Sequence, residues 1–440
     1  RFLHTVPVRA DTEHFCGGYH GSDIPVYSGT SPMLNHFGHI GAGHSFSLSH
    51  VPMPGNWEFV EIYDRDTAEG RFWQRSDRLV HGEKVWEAAK RRDASFTSAN
   101  LFWWHNTYSA CDVVVQARPI YKADGRKIPD CYTNPAAWRD TLQARLGRFP
   151  LFRFWGPLAD ITSSAWIADA AVLTHKQYAP TLSLVYLPHL DYGLQKIGPD
   201  HPAIPRHVAE IDAVVGRLLD YFATRSVRVL IVSEYGIEPC LPRNAAIFIN
   251  RHLRDAGLLA VRNEDGGELL DPGASRAFAV VDHQVAHVYH DPQDELPAIP
   301  GCRPVTLNHP RAGNTVLVAD PGRWFTYDYW PAGRPDLAPD FARTVDIHRK
   351  PGYDPRELFS SAGTAAVGWK LLRKKLGFRQ LMDVVPLDTD LVRGTHGRID
   401  SLPVRQPVLI GDGARQSSRP CTAVKRVILE NLFPSDHSDD

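Results

Sequence analysis

The pattern of apolar and polar positions is clearest in the middle of the chain. Residues 182–187 form the run LSLVYL, of the kind expected for a strand buried on both faces. Across 207–222, Val208, Ile211, Val215, Leu218, Leu219 and Phe222 fall on one side of a 3.6-residue period, which predicts an amphipathic helix. Residues 227–232 (VRVLIV) then predict a second buried strand. Strand, helix and strand at this spacing predict a βαβ unit whose two strands run parallel with a right-handed crossover.

Weaker signals flank this unit. The spacing predicts helices over 83–91, 136–146 and 163–173, the last with Ser163 or Ser164 as N-cap. A β-branched strand is predicted at 113–116. Pro and Gly thicken around 291–340, which reads as an insertion or cap with strands at 314–319 and 324–329. After residue 411 the chain is polar until 424–432. Residues 1–60 carry seven histidines and many Gly, Ser and Pro residues without a sustained period, and are read as an irregular or altered N-terminal segment. The fold class expected is α/β with a mostly parallel central sheet, occupying 61–440.

Composition narrows the function. The 440 residues contain 49 Lys+Arg against 50 Asp+Glu, a net charge of −1, which argues against nucleic acid held through bulk charge. No run of about 18 apolar residues is present, so no membrane span is expected. The six cysteines lie far apart without a CxxC pair. Free thiols in a reducing cytoplasm are expected, with a Cys111–Cys131 disulfide as the open alternative. The chain begins at Arg1 with no basic-then-apolar signal segment, so its natural start is expected upstream.

Candidate chemistry gathers at strand ends, where open parallel sheets bind ligands. Asp191 follows 182–187 and Glu234 follows 227–232. If both strands belong to one unit, the two carboxylates face one crevice and suit a divalent cation or a general base with its partner; otherwise they are loop acids facing water. His283 and His287 stand four apart, which on a helix would put both rings on one face as a metal pair. His348 and His396 lie in loops rich in Gly and basic residues, where Arg349, Lys350, Arg393 and Arg398 could donate to phosphoryl oxygens. The run Phe102-Trp103-Trp104-His105 is either core or a stacking wall for a flat ligand, with Trp104 as the candidate contact. HExxH, Walker-type GxxxxGK[ST], GxSxG and CxxC motifs are absent from the sequence.

Several of these runs resemble a known family. Tyr186-Leu187-Pro188-His189-Leu190-Asp191-Tyr192, continuing to Gly198-Pro199, resembles the Asp…Gly-Pro metal motif of type I phosphodiesterases and nucleotide pyrophosphatases, in the alkaline-phosphatase superfamily. Ser233-Glu234-Tyr235-Gly236 stands where that superfamily has Ser-Asp-His-Gly, and Gly394-Thr395-His396-Gly397 is similar to its late histidine motif. The resemblance covers roughly residues 63–432 and implies a three-layer alkaline-phosphatase-like core with an inserted cap. It also implies a two-metal mechanism, usually with zinc, in which a threonine attacks phosphorus and water then hydrolyses the phospho-enzyme.

Carried over by position, Asp191 would be a metal ligand and His396 its companion. Glu234 and Tyr235 would replace the Asp-His pair, and Gln195 stands where the family has a histidine. His348 is a further, weaker candidate for metal; Arg349, Lys350, Arg398 and Trp104 are the candidates for substrate. An oxygen-rich set of this kind makes magnesium or manganese as plausible as zinc. No convincing copy of the nucleophilic threonine occurs in 1–60, where Thr30 or Ser31 is the nearest stand-in. Two functions follow as expectations: a metal-dependent hydrolase of phosphodiester or pyrophosphate bonds in a small phosphorylated metabolite or nucleotide, or an inactive relative that binds such a ligand or a partner protein.

Overall fold

The computed structural model describes residues 76–434, apart from 81, 124–125, 234, 265–266, 308–311, 347, 362, 377, 379, 399–406, 412–417 and 420–422. Before residue 76 it describes only 14–15, 62–64 and 69–71. Thr30, Ser31 and Glu234, named above as candidates, lie outside the described residues.

The central sheet contains β1 (Ser98–Leu101), β2 (Val113–Ala117), β3 (Cys131–Asn134) and β4 (Leu182–Val185), in the order β3-β2-β1-β4. β1 runs parallel to both β2 and β4, and only the edge strand β3 is antiparallel. The protein is therefore α/β with a mostly parallel central sheet. Every residue of β1 and β2 is buried. Two of their three polar members, Asn100 and Gln116, are tied to Asn106, which donates to Asn100 Oδ1 at 2.8 Å and accepts from Gln116 Nε2 at 3.2 Å, while Asn100 Nδ2 has no hydrogen-bond partner among the described residues.

Helices pack on this sheet and on one another. α1 (Val85–Arg92) meets the C-terminal α6 (Val424–Leu432), α2 (Trp138–Leu146) meets β3, and α3 (Ile161–Tyr178) lies on β1 and β4. α4 (His189–Ile197) follows β4, and α5 (Ile204–Ala223) packs on α3 and α4, burying Val214, Leu218 and Phe222. The N-cap of α3 is Asp160, whose carboxylate accepts from the Thr162 N–H at 2.9 Å. Ser163 and Ser164 are instead buried inside that helix, because an acid one residue ahead of the first turn satisfies its orphan donors better.

A second core surrounds β5 (Ala277–Asp282), β6 (Val285–His290), β7 (Cys302–Val305) and β8 (Thr315–Ala319), an antiparallel sheet of order β5-β6-β8-β7. The region around 291–340 thus contributes two strands to this sheet. Trp324–Phe325 pairs with Ala246–Ile247, a shorter strand than the 324–329 expected.

Two expectations are corrected here. Residues 227–232 do not pair with 182–187: Leu230–Val232 runs antiparallel to Leu409–Gly411, and the partner of β4 is β1. An apolar run reports burial, not the identity of the neighbour. His283 and His287 are not on a helix either. His283 opens the two-residue turn between β5 and β6, and His287 lies in β6 opposite Val280. Cys111 and Cys131 are free and buried, and burial pushes both thiols up to about 12. No helix among the described residues is long and apolar enough to cross a membrane.

Candidate active site

β4 ends on Tyr186-Leu187-Pro188, and the chain turns at once into α4, which presents Asp191 in its first turn and Gln195 one turn later. The helix period puts both on one face, and Gln195 Nε2 donates to Asp191 Oδ1 at 2.9 Å. Tyr235 also hydrogen-bonds the Asp191 carboxyl. Burial nevertheless dominates, lifting that carboxyl to about 6 against both hydrogen bonds.

The ladder of Glu238–Pro239 with Gly394–Thr395 delivers the next two rings. His396 stacks on Tyr235 with centroids 4.0 Å apart and lies 3.9 Å from the ring of His283. Gly394 is required for this approach: a Cβ there would collide with the Leu194 carbonyl of α4. His283 has φ 45°, a left-handed conformation that a non-glycine residue adopts at a cost. Its Nδ1 lies 3.3 Å from the Thr395 hydroxyl. Tyr353 closes the ring of contacts, donating to Gln195 Oε1 at 2.7 Å with its ring 4.5 Å from His283.

Asp282, immediately before the turn, is a neighbour of Asp191. Burial first, and then the Asp191 charge, hold its carboxyl well above the usual range. Burial and the nearby His396 hold His283 well below the usual imidazole range, so its ring is neutral. Asp282 Oδ2 and His283 Nε2 are buried with no hydrogen-bond partner among the described residues.

The structure thus brings together Asp191, Gln195, Tyr235, His283 and His396 from the sequence-derived candidates and adds Asp282 and Tyr353, while His287, expected beside His283, instead accepts from the Gly313 N–H at 3.1 Å. The aspartate could have been found at the end of the apolar run 277–281, the same strand-end signal that marks Asp191. The remaining candidates sit elsewhere or are already engaged. Trp104 is 4% exposed and packs edge-on to Tyr186 in the first core. His348 lies on the surface against Tyr121, 3.2 Å from its hydroxyl. Arg349 pairs with Asp346 at 2.7 Å and Asp340 at 3.1 Å. Lys350 is buried between Asp354 at 2.9 Å and Glu357 at 2.7 Å. Arg398 is buried, donating to the Ala319 carbonyl at 3.1 Å with Glu238 at 3.5 Å.

Comparison with known proteins places the chain in a family. The sequence model for type I phosphodiesterase / nucleotide pyrophosphatase matches residues 53–354, and one for a domain of unknown function matches residues 1–78. No curated protein matches the chain. Among solved structures, murine ectonucleotide pyrophosphatase / phosphodiesterase 5 in complex with AMP is 11% identical, covering 96% of this chain and 86% of its own, with TM-score 0.49. The human protein of that name is 12% identical, covering 93% and 87%, with TM-score 0.49. Phosphonoacetate hydrolase from Sinorhizobium meliloti 1021, in complex with phosphonoformate, is 13% identical, covering 75% and 78%, with TM-score 0.44. By the family match across most of its length, the chain belongs to the type I phosphodiesterase / nucleotide pyrophosphatase family.

Proposed function

We propose that the protein is a divalent-metal-dependent hydrolase of phosphodiester or pyrophosphate bonds in a small phosphorylated metabolite or nucleotide, acting at Asp191, Asp282, His283 and His396. One observation carries this reading. Two carboxyls and a neutral imidazole are buried side by side, and Asp282 Oδ2 and His283 Nε2 have no hydrogen-bond partner among the described residues. Such a set is costly unless a cation completes it. The mixture of carboxylate oxygen and imidazole nitrogen fits zinc or manganese, with magnesium favoured less as nitrogen donors are added.

The chain's own residues prepare the centre. The Tyr235 and Gln195 hydrogen bonds aim the Asp191 carboxylate, and Tyr353 fixes the Gln195 amide in turn. Thr395 beside His283 Nδ1 leaves Nε2 as the outward lone pair, an outer-shell arrangement common to metal-binding histidines. A bound divalent cation would supply Lewis-acid stabilisation of charge developing on the phosphoryl group. The group that attacks phosphorus is not assigned among the described residues. The four cysteines among the described residues, of six in the sequence, are free, which supports the reading of a reducing, cytoplasmic setting.

The test is release of nitrophenol from bis(4-nitrophenyl) phosphate with zinc, manganese or magnesium added. Asp282→Asn and His396→Ala are each expected to lower the metal-dependent rate by roughly 100-fold or more, at least the loss seen for outer-shell partners. Absence of metal-dependent turnover, together with unchanged metal content in both variants, would sink the proposal. The second reading, an inactive ligand-binding relative, is favoured by Gln195, which turns an amide N–H rather than an imidazole toward the centre. It predicts thermal stabilisation by AMP with no turnover.

A further inference from the structure

The face of α4 opposite Asp191 carries a second cluster. His189 and Asp191 are two residues apart, about 200° around the helix, so His189 points away from the centre and toward α5. There it meets His207 and Glu210, one turn apart on α5. His189 Nε2 lies 3.1 Å from Glu210 Oε2, and His207 Nδ1 lies 4.0 Å from the same oxygen. The three donor atoms all lie within 4.8 Å of one another.

We infer that His189, His207 and Glu210 form a zinc site that clamps α4 to α5. The donor set is two imidazoles and one carboxylate, a known zinc combination that leaves a fourth position open. Ligands at about 2.0–2.1 Å around a tetrahedral zinc stand roughly 3.3 Å apart, so small side-chain adjustments close the triangle. His189 is 4% exposed, and its Nε2 and the His207 Nδ1 are buried atoms without a well-formed hydrogen bond.

Two local features fit the same purpose. Arg206 Nε holds Glu210 Oε1 at 2.9 Å, leaving Oε2 to face the imidazoles, as an outer-shell partner does. Gly193 lies beneath the cluster, where a Cβ would stand 3.0 Å from His207 Nδ1. The clamp would fix the helix that carries Asp191 and Gln195. It stands apart from the hydrolase proposal, because its residues and its readout are separate.

Zinc binding by the full chain tests it, using equilibrium dialysis, metal analysis and thermal melting. In an Asp282→Asn, His396→Ala background that disables the other centre, one equivalent of zinc is expected to remain and to raise the Tm. Adding Glu210→Gln or His207→Ala should abolish that equivalent. Arg206→Ala should weaken it roughly 10–100-fold, and Gly193→Ala should weaken it by crowding the donor. Should the background variant fold poorly, the wild-type stoichiometry is expected to fall by one with Glu210→Gln. Folded Glu210→Gln and His207→Ala chains that retain the full zinc content would overturn the inference, as would a folded background chain that binds no zinc.

Discussion

Asp77 lies 3.1 Å from the Lys84 ammonium, yet burial outweighs the ion pair and lifts its carboxyl to about 6. A carboxyl whose folded pKa exceeds its unfolded value holds its proton longer in the native state. Its contribution therefore favours folding at low pH and is lost as pH rises from about 4 through about 6. Relative to Asp77→Asn, the wild-type chain should lose roughly 2–3 kcal/mol of stability between pH 4 and pH 7. Urea unfolding of both proteins across that range measures it, and a pH-independent difference would refute the assignment. Sequence reasoning reached Asp191 and His396 because strand ends and a Gly-flanked histidine are visible in one dimension. It passed over Asp282, which is buried near Asp191, because the adjacent His283–His287 spacing of four also fits a helix. Only the turn geometry separates the two histidines, and a single sequence does not contain it.

Elements were legible where the period was long. The helix predicted at 207–222 is Ile204–Ala223, because an amphipathic stripe over several turns has no strand equivalent. Basic residues were harder to read, since a loop lysine can face either a ligand or its own fold. Lys350 belongs to a buried network in which Asp354 also pairs with Arg356 at 2.7 Å, and Arg356 with Asp328 at 2.6 Å. This network anchors the segment that presents Tyr353 to Gln195. Lys350→Met would leave the Glu357 and Asp354 carboxylates short of a cation, so a loss of about 3–5 kcal/mol is expected, as for other broken buried pairs. Thermal unfolding reads the loss. A stable Lys350→Met protein whose only defect is a raised KM for phosphodiester would return Lys350 to the substrate.

At the scale of the molecule, strand partners were beyond reach of the sequence. β4 pairs with a strand more than 80 residues upstream, and Leu230–Val232 with one nearly 180 residues downstream. Burial patterns say that such strands are covered without saying by what. The same long-range pairing builds the centre. Asp191 comes from the helix after the first sheet, Asp282 from the end of β5 and His283 from the turn that follows it, and His396 from just after a late ladder. A cation shared by these segments would tie the first core to the second. Saturating zinc or manganese should then raise the melting temperature of both cores together, adding about 2.7 kcal/mol when the free metal is a hundredfold above its Kd. Trp103, Trp138 and Trp166 report the first core, and Trp330 reports the second. Near-ultraviolet circular dichroism and tryptophan fluorescence should therefore shift in step, and EDTA should reverse the shift. The Glu210→Gln background removes any contribution from the α4–α5 cluster, so a coupled shift that survives there belongs to the centre. If metal moved neither core in that background, the carboxyls of Asp191 and Asp282 would be buried for a reason other than a cation.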